Sequence, residues 1–282
     1  MGIQIDRLLA HQFRPQRERY TERDAILYAL GVGVGQNPVS SFDLEFLDET
    51  RLSVLPTFAV TLASPGMWIR DPQFGIDFDK LVHLEQAATF HAPLPPADEI
   101  ESNARIVSLH DRGQDRGAIL VIEREITSVA MATRYCTLSQ TLLLRSDGGF
   151  GGSPAPRVKS VIPDVSPDES FDIEISSRAA LIYRLSGDWN PLHLDPAKAR
   201  EAGFNRPIFQ GLGSYGTVGV ELCRALNTAP QRISSLACRF ASPITPGDRL
   251  RIDVWQSEGG YIFTGNVGER RVLGEGQINW ER

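Results

Sequence analysis

The chain opens its periodic structure at YTERDAILYALG, where apolar Ile26, Leu27 and Leu30 recur at helical spacing behind Thr21 and Asp24. Thr21 is an N-cap, Asp24 suits the first turn and Gly31 is a stop, so a helix is predicted over this stretch. Farther on, LVHLEQAATFHAPL, EIESNARIVSLHD, GAILVIEREITS and YCTLSQTLLLR carry β-branched residues in partial alternation, separated by Gly or Pro. They predict an antiparallel sheet. The stretch SDGGFGGSPAPRVKSVIPDVSPDES then loses apolar periodicity and fills with Gly, Pro and Ser, the composition of a linker. The boundaries expected are a first unit at 1–150, a linker at 151–168 and a second unit at 169–282.

The second half repeats that order. A helix in SSRAALIYRLSG, capped by Ser176 or Ser177, and a longer one in GLGSYGTVGVELCRAL precede four strands: ISSLACRFASPI, DRLRIDVWQSE, YIFTGNVGE and RRVLGEGQINW. One local echo sets HAPLPPADEIESNARI against ASPITPGDRLRIDVW, a Pro-bracketed turn that carries an acidic residue into an alternating strand. The long helix is small and apolar nearly all round. Gly211, Gly213, Gly216 and Gly219 would weaken an exposed helix by about 1 kcal/mol each, so close packing on most sides is the better account. The expected class is α+β: two antiparallel sheets, each wrapping a central helix.

Composition narrows the function. With 282 residues, 41% hydrophobic, 23% charged and net charge −6, the chain has core enough for two units and no Lys/Arg block for nucleic acid. No apolar run reaches the ~20 residues of a membrane helix, and MGIQIDRLLAHQF lacks the apolar centre of a signal peptide. An intracellular, cytoplasmic protein is expected, with no membrane partner. Cys136, Cys223 and Cys238 are odd in number and lack CxxC spacing, so they read as reduced core residues.

The candidate chemistry lies in SGDWNPLH, residues 186–193. Gly187 permits a sharp turn and Pro191 biases Asn190 to extended backbone, so Asp188, Asn190 and His193 can converge, as general acid/base chemistry requires. The bland alternative makes Asp188 and Asn190 Asx-turn residues and His193 a hydrogen-bonded, partly buried histidine. One His with an Asp and an Asn is a thin ligand set for zinc, so no metal is expected.

The stretch YRLSGDWNPLHLDPAKAREAGFNRPIFQGL resembles the signature of MaoC-like, or type 2, enoyl-CoA hydratases. In the first half YTERDAILYALGVG, LPTF, LVHLEQ, PLPP and GGFGG are similar to the double-hotdog hydratase 2 unit of peroxisomal multifunctional enzymes of type 2. The resemblance implies a double hotdog that reversibly hydrates a trans-2-enoyl-CoA to a (3R)-3-hydroxyacyl-CoA without a cofactor, acts on acyl-CoA and forms a homodimer. It implies that Asp188 and His193 hold a water, that Asn190 positions them, and that the Gly211 N–H receives the thioester oxygen. His83, Leu84 and Arg112 would line the acyl-CoA path, with Phe240, Trp189, Pro191 and Leu192 also touching substrate. Two departures stand out: Gln210 where the family commonly has His, and Leu84 where glycine is usual. At the first half's equivalent of the loop stands VGQNPVS, which offers neither acid nor base. The alternatives are an acyl-CoA thioesterase of the same fold, or a non-catalytic acyl-CoA-binding protein.

Overall fold

In a computed structural model, residues 2–152, 154 and 159–280 are described. Ten strands form one antiparallel sheet in the order β1-β3-β4-β5-β2-β7-β10-β9-β8-β6. The first five are β1 (Gln16–Tyr20), β2 (Leu81–Phe90), β3 (Asp98–Asp111), β4 (Ala118–Ser128) and β5 (Arg134–Leu144). The second five are β6 (Glu169–Glu174), β7 (Ile233–Phe240), β8 (Arg249–Ser257), β9 (Gly260–Val267) and β10 (Arg270–Trp280). Read outward from the centre, the two groups have the same order, 2-5-4-3-1 and 7-10-9-8-6. Their junction pairs Glu85 with Arg239, Ala87 with Ala237 and Thr89 with Ser235, so a pseudo-twofold axis passes through Ala87 and Ala237. The sequence echo has a structural counterpart here. The N–H groups of His91 and Ala92 donate to the Tyr135 carbonyl, and those of Ala241 and Ser242 donate to the Val272 carbonyl.

Among the described residues six α-helices accompany the sheet: α1 (Ile5–Leu9), α2 (Glu22–Gly31), α3 (Ser41–Leu44), α4 (Ala179–Tyr183), α5 (Pro196–Glu201) and α6 (Gly211–Ala225). Thr21 starts α2 in a capping box, its N–H donating to Asp24 Oδ2 at 2.9 Å. The cap expected at Ser176 or Ser177 is displaced. Arg178 holds that position, and the Ser176 hydroxyl instead accepts from the Arg178 N–H at 3.2 Å, which shortens α4 to five residues. Strands β1 and β6 were not foreseen, because QRERY and ESFDIE are short, largely polar edge strands.

Helix α6 is buried from Gly213 to Val220. Tyr215 donates to the Leu236 carbonyl of β7 at 2.8 Å, and a Cβ on Gly216 would lie 2.4 Å from the Tyr28 hydroxyl of α2. In the first half the place of a central helix is held by a single 3₁₀ turn at Pro56–Val60, buried at every residue. After a turn at Thr61–Ala63, Ser64-Pro65-Gly66 bars any further helix. Arg124 of β4 clamps this turn by donating to the Val60 and Leu62 carbonyls.

Between β5 and β6 runs the stretch read as a linker, of which residues 153 and 155–158 lie outside the described residues. Past that gap, Glu275 of β10 accepts from the Val161 N–H and the Ser160 hydroxyl, both at 2.9 Å. All three cysteines are free and buried, and burial pushes the Cys136 thiol up to about 12.

Candidate active site

The loop after α4 turns at Gly187, whose φ of +110° is open to glycine and strained for other residues. Its hydrogen bonds are those of an Asx turn. Asn190 Oδ1 accepts from the Leu192 N–H at 3.1 Å, and Asp188 Oδ1 accepts from the Asn190 N–H at 3.2 Å. Pro191 then begins a 3₁₀ turn, Pro191–His193, that carries the histidine inward. The turn chemistry of the bland reading is present, and with it the approach of Asp188 to His193 that an acid/base pair requires.

His193 is buried and Asp188 half-exposed. Nδ1 of His193 lies 2.9 Å from the Ile208 carbonyl, which can only accept, so Nδ1 carries a proton and Nε2 is the nitrogen left to exchange one. Nε2 faces Asp188 Oδ2 at 3.6 Å, beyond direct hydrogen bonding and suited to a water bridging both. Asp188 has spent Oδ1 on Asn190 and has Oδ2 to offer. Sequence reasoning missed Ile208, since its contribution is a backbone carbonyl that any residue carries.

Gly211 begins α6, so its N–H has no carbonyl partner inside the helix and sits at the positive end of the helix dipole. A Cβ there would lie 3.6 Å from the Phe240 ring, an ordinary contact. The close-packing argument for helix glycines therefore applies to Gly213 and Gly216, where a Cβ would come within 2.6 Å of a neighbour, and not to Gly211.

The first half contributes His83. Its ring meets Phe240 edge-on, donates from Nε2 to the Glu85 carbonyl at 3.0 Å, and accepts at Nδ1 from Gln140 at 3.4 Å. Desolvation pulls its pKa down to about 4, so the ring is neutral near pH 7. Leu84 is the extra residue of a bulge in β2, where the register against β5 slips between His83 and Glu85.

The remaining candidates are more scattered. Trp189 is 59% exposed and lies under the Arg184 guanidinium at 4.6 Å. Pro191 is exposed and Leu192 half-buried beside the pair. Arg112 sits in the β3–β4 turn, its N–H donating to the Gly117 carbonyl at 2.9 Å; among the described residues no hydrogen bond or ion pair joins it to His83 or to the loop. The neighbouring Asp111 accepts from the Gly113 and Gly149 N–H groups at 2.8 Å and from that of Gly151, pinning the GGFGG segment, and these backbone donors lower its pKa.

The first half preserves a silent copy of the loop. Asn37 Oδ1 accepts from the Val39 N–H at 3.2 Å, as Asn190 does from Leu192. The Ser40 N–H donates to the Asn37 carbonyl at 3.1 Å, as His193 donates to that of Asn190 at 3.2 Å. In this copy Gly35 stands in the place of Asp188, and Ser40 in that of His193.

With this geometry in view, comparisons with known proteins are consistent across the chain. Residues 159–276 match the family model described as MaoC like domain, and residues 19–146 the MFE-2 hydratase 2 N-terminal domain. The 3-hydroxyacyl-thioester dehydratase Y of Mycobacterium tuberculosis is 36% identical over 276 residues, covering 94% of each chain. The peroxisomal enoyl-CoA hydratase 2 of Arabidopsis thaliana is 33% identical over 283 residues, covering 94% of this chain and 91% of that one. A MaoC-like dehydratase from Phytophthora capsici is similar in structure, with a TM-score of 0.84, 26% identity and 99% of each chain covered.

Proposed function

We infer the reaction from kinship and site together: this chain belongs to the MaoC-like family, in its hydratase 2 form, and it adds water reversibly to an enoyl-CoA. The product is assigned as the (3R)-3-hydroxyacyl-CoA. The observation that carries the mechanism is the 3.6 Å span between His193 Nε2 and Asp188 Oδ2, with the opposite ring nitrogen committed to Ile208. A water in that span donates to both groups. As its oxygen bonds to C3, the π electrons of C2=C3 move toward the thioester, one water proton passes to the pair, and the pair returns a proton to C2 on the same face. The pair ends as it began. The negative charge developing on the thioester oxygen is received by the Gly211 N–H at the start of α6.

Every group this step requires is a side chain or an amide of the chain, so the reading includes no cofactor and no metal. CoA enters as part of the substrate. His83, Leu84 and Phe240 line the acyl side, with Trp189, Pro191 and Leu192 at the mouth and Arg112 farther along the path. No helix among the described residues is long and apolar enough to cross a membrane. The reading places the enzyme in the cytoplasm as a homodimer without nucleic-acid or membrane partners.

The test is an absorbance assay with crotonyl-CoA and a longer trans-2-enoyl-CoA, with the C3 configuration of the product determined. Hydration to the (3R) alcohol is expected. Release of free CoA without hydration would instead make the protein a thioesterase.

A further inference from the structure

Four consecutive residues, Ile208 to Gly211, each hold a different part of the site. The Ile208 carbonyl accepts from His193 at 2.9 Å, and the Phe209 N–H donates to the Ile244 carbonyl at 2.8 Å. The Phe209 ring packs edge-on against Tyr183 of α4, centroids 6.0 Å apart. Gln210 reaches the other way, its Nε2 donating to the Ala180 carbonyl of α4 at 3.3 Å. Gly211 then presents its N–H at the head of α6. The segment thus spans from the acid/base pair to the oxyanion donor, and Gln210 ties it by a side-chain hydrogen bond to the helix that carries the catalytic loop, beside the ring contact of Phe209.

Gln210 is an unexpected residue for such a place. It is 1% exposed, and its Oε1 is buried without a hydrogen-bond partner. A methionine would occupy similar volume without burying a lone acceptor, so stability alone does not account for an amide here. What the amide supplies is the Nε2 donor. Helix α4 is only five residues long and runs directly into the loop through Arg184–Ser186. A slip of α4 along α6 would move Asp188 relative to both His193, which is held from the Ile208 side, and the Gly211 N–H.

We propose that Gln210 is a positioning residue: its hydrogen bond to Ala180 sets the spacing between the Asp188–His193 pair and the Gly211 N–H. This inference rests on the hydratase reading above. The bond is distinct from the chemistry, since Gln210 touches neither water nor thioester in this scheme. Two groups that act on the same substrate from different elements need their separation fixed, and a misplacement of about 1 Å lowers turnover by up to ~100-fold.

The experiment compares wild-type protein with Gln210→Met and Gln210→Leu. Gln210→Met removes the donor and also the buried lone acceptor, so thermal stability is expected to hold or rise while kcat falls at least ~10-fold and KM stays within ~2-fold. Gln210→Leu likewise removes both the donor and the lone acceptor, with a branched side chain in place of the thioether, and should lose kcat in the same way. Activity is paired with the proton resonance of His193 Nδ1–H, visible by NMR while the Ile208 carbonyl shields it from exchange. It should be sharp in the wild type and broadened in both variants. Wild-type kcat in a folded variant, or an unchanged His193 resonance, overturns the proposal. So does a kcat loss matched by a loss of thermal stability in Gln210→Met. If the wild type fails to hydrate enoyl-CoA at all, the hydratase reading falls and the resonance alone decides whether Gln210 positions His193.

Discussion

The imidazole of His83 meets the phenyl ring of Phe240 edge-on, with centroids 5.1 Å apart and planes at 76°. One residue comes from β2 and the other ends β7, so in the proposed hydratase site the acyl side is shared by both halves of the chain. Gly211 also adjoins the Phe240 ring, which a Cβ placed there would meet at 3.6 Å. The first half, which has no acid or base in its own loop, therefore still helps build the site.

Removing either member of the pair should remove the proton path. Asp188→Ala and His193→Ala are each expected to lower enoyl-CoA hydration by at least ~100-fold with the fold intact. Initial rates with crotonyl-CoA, alongside circular dichroism, check this. Asn190→Ala should cost less, because Asn190 shapes the turn and transfers no proton.

Gly211→Pro is a clean deletion of a single donor. Proline suits the first residue of a helix, and Gln210 at φ −60° and ψ 137° is already in the extended region that a residue before proline prefers. The fold should survive, while kcat drops by roughly 100-fold, about 3 kcal/mol in the transition state. Gly211→Ala keeps the N–H and adds a methyl at ordinary contact distance from Phe240, so it should remain substantially active.

Gly216→Ala should behave in the opposite way. Its Cβ would collide with the Tyr28 hydroxyl at 2.4 Å and with Val32 at 2.6 Å. An overpacking loss of about 1–3 kcal/mol in unfolding free energy is expected, measured by urea denaturation.

His83 gives a pH signature. Burial lowers its folded pKa to about 4, against 6.5 in the unfolded chain, so between those values the unfolded state binds the extra proton. The contribution of the neutral ring is present above pH 6.5 and is lost as pH falls toward 4. His83→Gln, which cannot titrate, should gain stability relative to wild type over that window and keep a constant difference above it.

Asp111 should govern the GGFGG segment. In Asp111→Ala the amides of Gly113, Gly149 and Gly151 lose their acceptor, and hydrogen exchange at Gly149 and Gly151 should quicken while exchange in β7 is unchanged.

Much of this was legible in the sequence, for identifiable reasons. The interior strands β2 to β5 and β7 to β10 carry enough β-branched and apolar residues to be read from pattern, and the small-residue helix betrayed its burial. The edge strands β1 and β6 did not, because a strand with one neighbour and exposed faces has little need of apolar alternation. The first half's 3₁₀ turn was also hidden: Leu55–Ala63 is mostly apolar, like a short helix, and only Pro56 near its start and Pro65 beyond its end limit it. At the candidate site, Asp188, Asn190 and His193 could be named because their side chains are of types that move or position protons. The Ile208 carbonyl and the reach of Gln210 to Ala180 could not, since both depend on where segments distant in sequence come to rest.

The β2–β7 junction also fixes an order of events during synthesis. All the strands that flank β2 in its own half lie within the first 144 residues, whereas β7 and the helices α4 and α6 that complete the core around Tyr28 come later in the chain. Until β7 arrives, the N–H and C=O groups of residues 85–89 form a bare edge in what will become the middle of the sheet. Another nascent chain offers the same edge, and the near-symmetry about Ala87 and Ala237 makes β2 a plausible imitation of β7. A chain truncated in the linker is thus left with an unsatisfied template, and its characteristic failure is pairing with its own kind through β2.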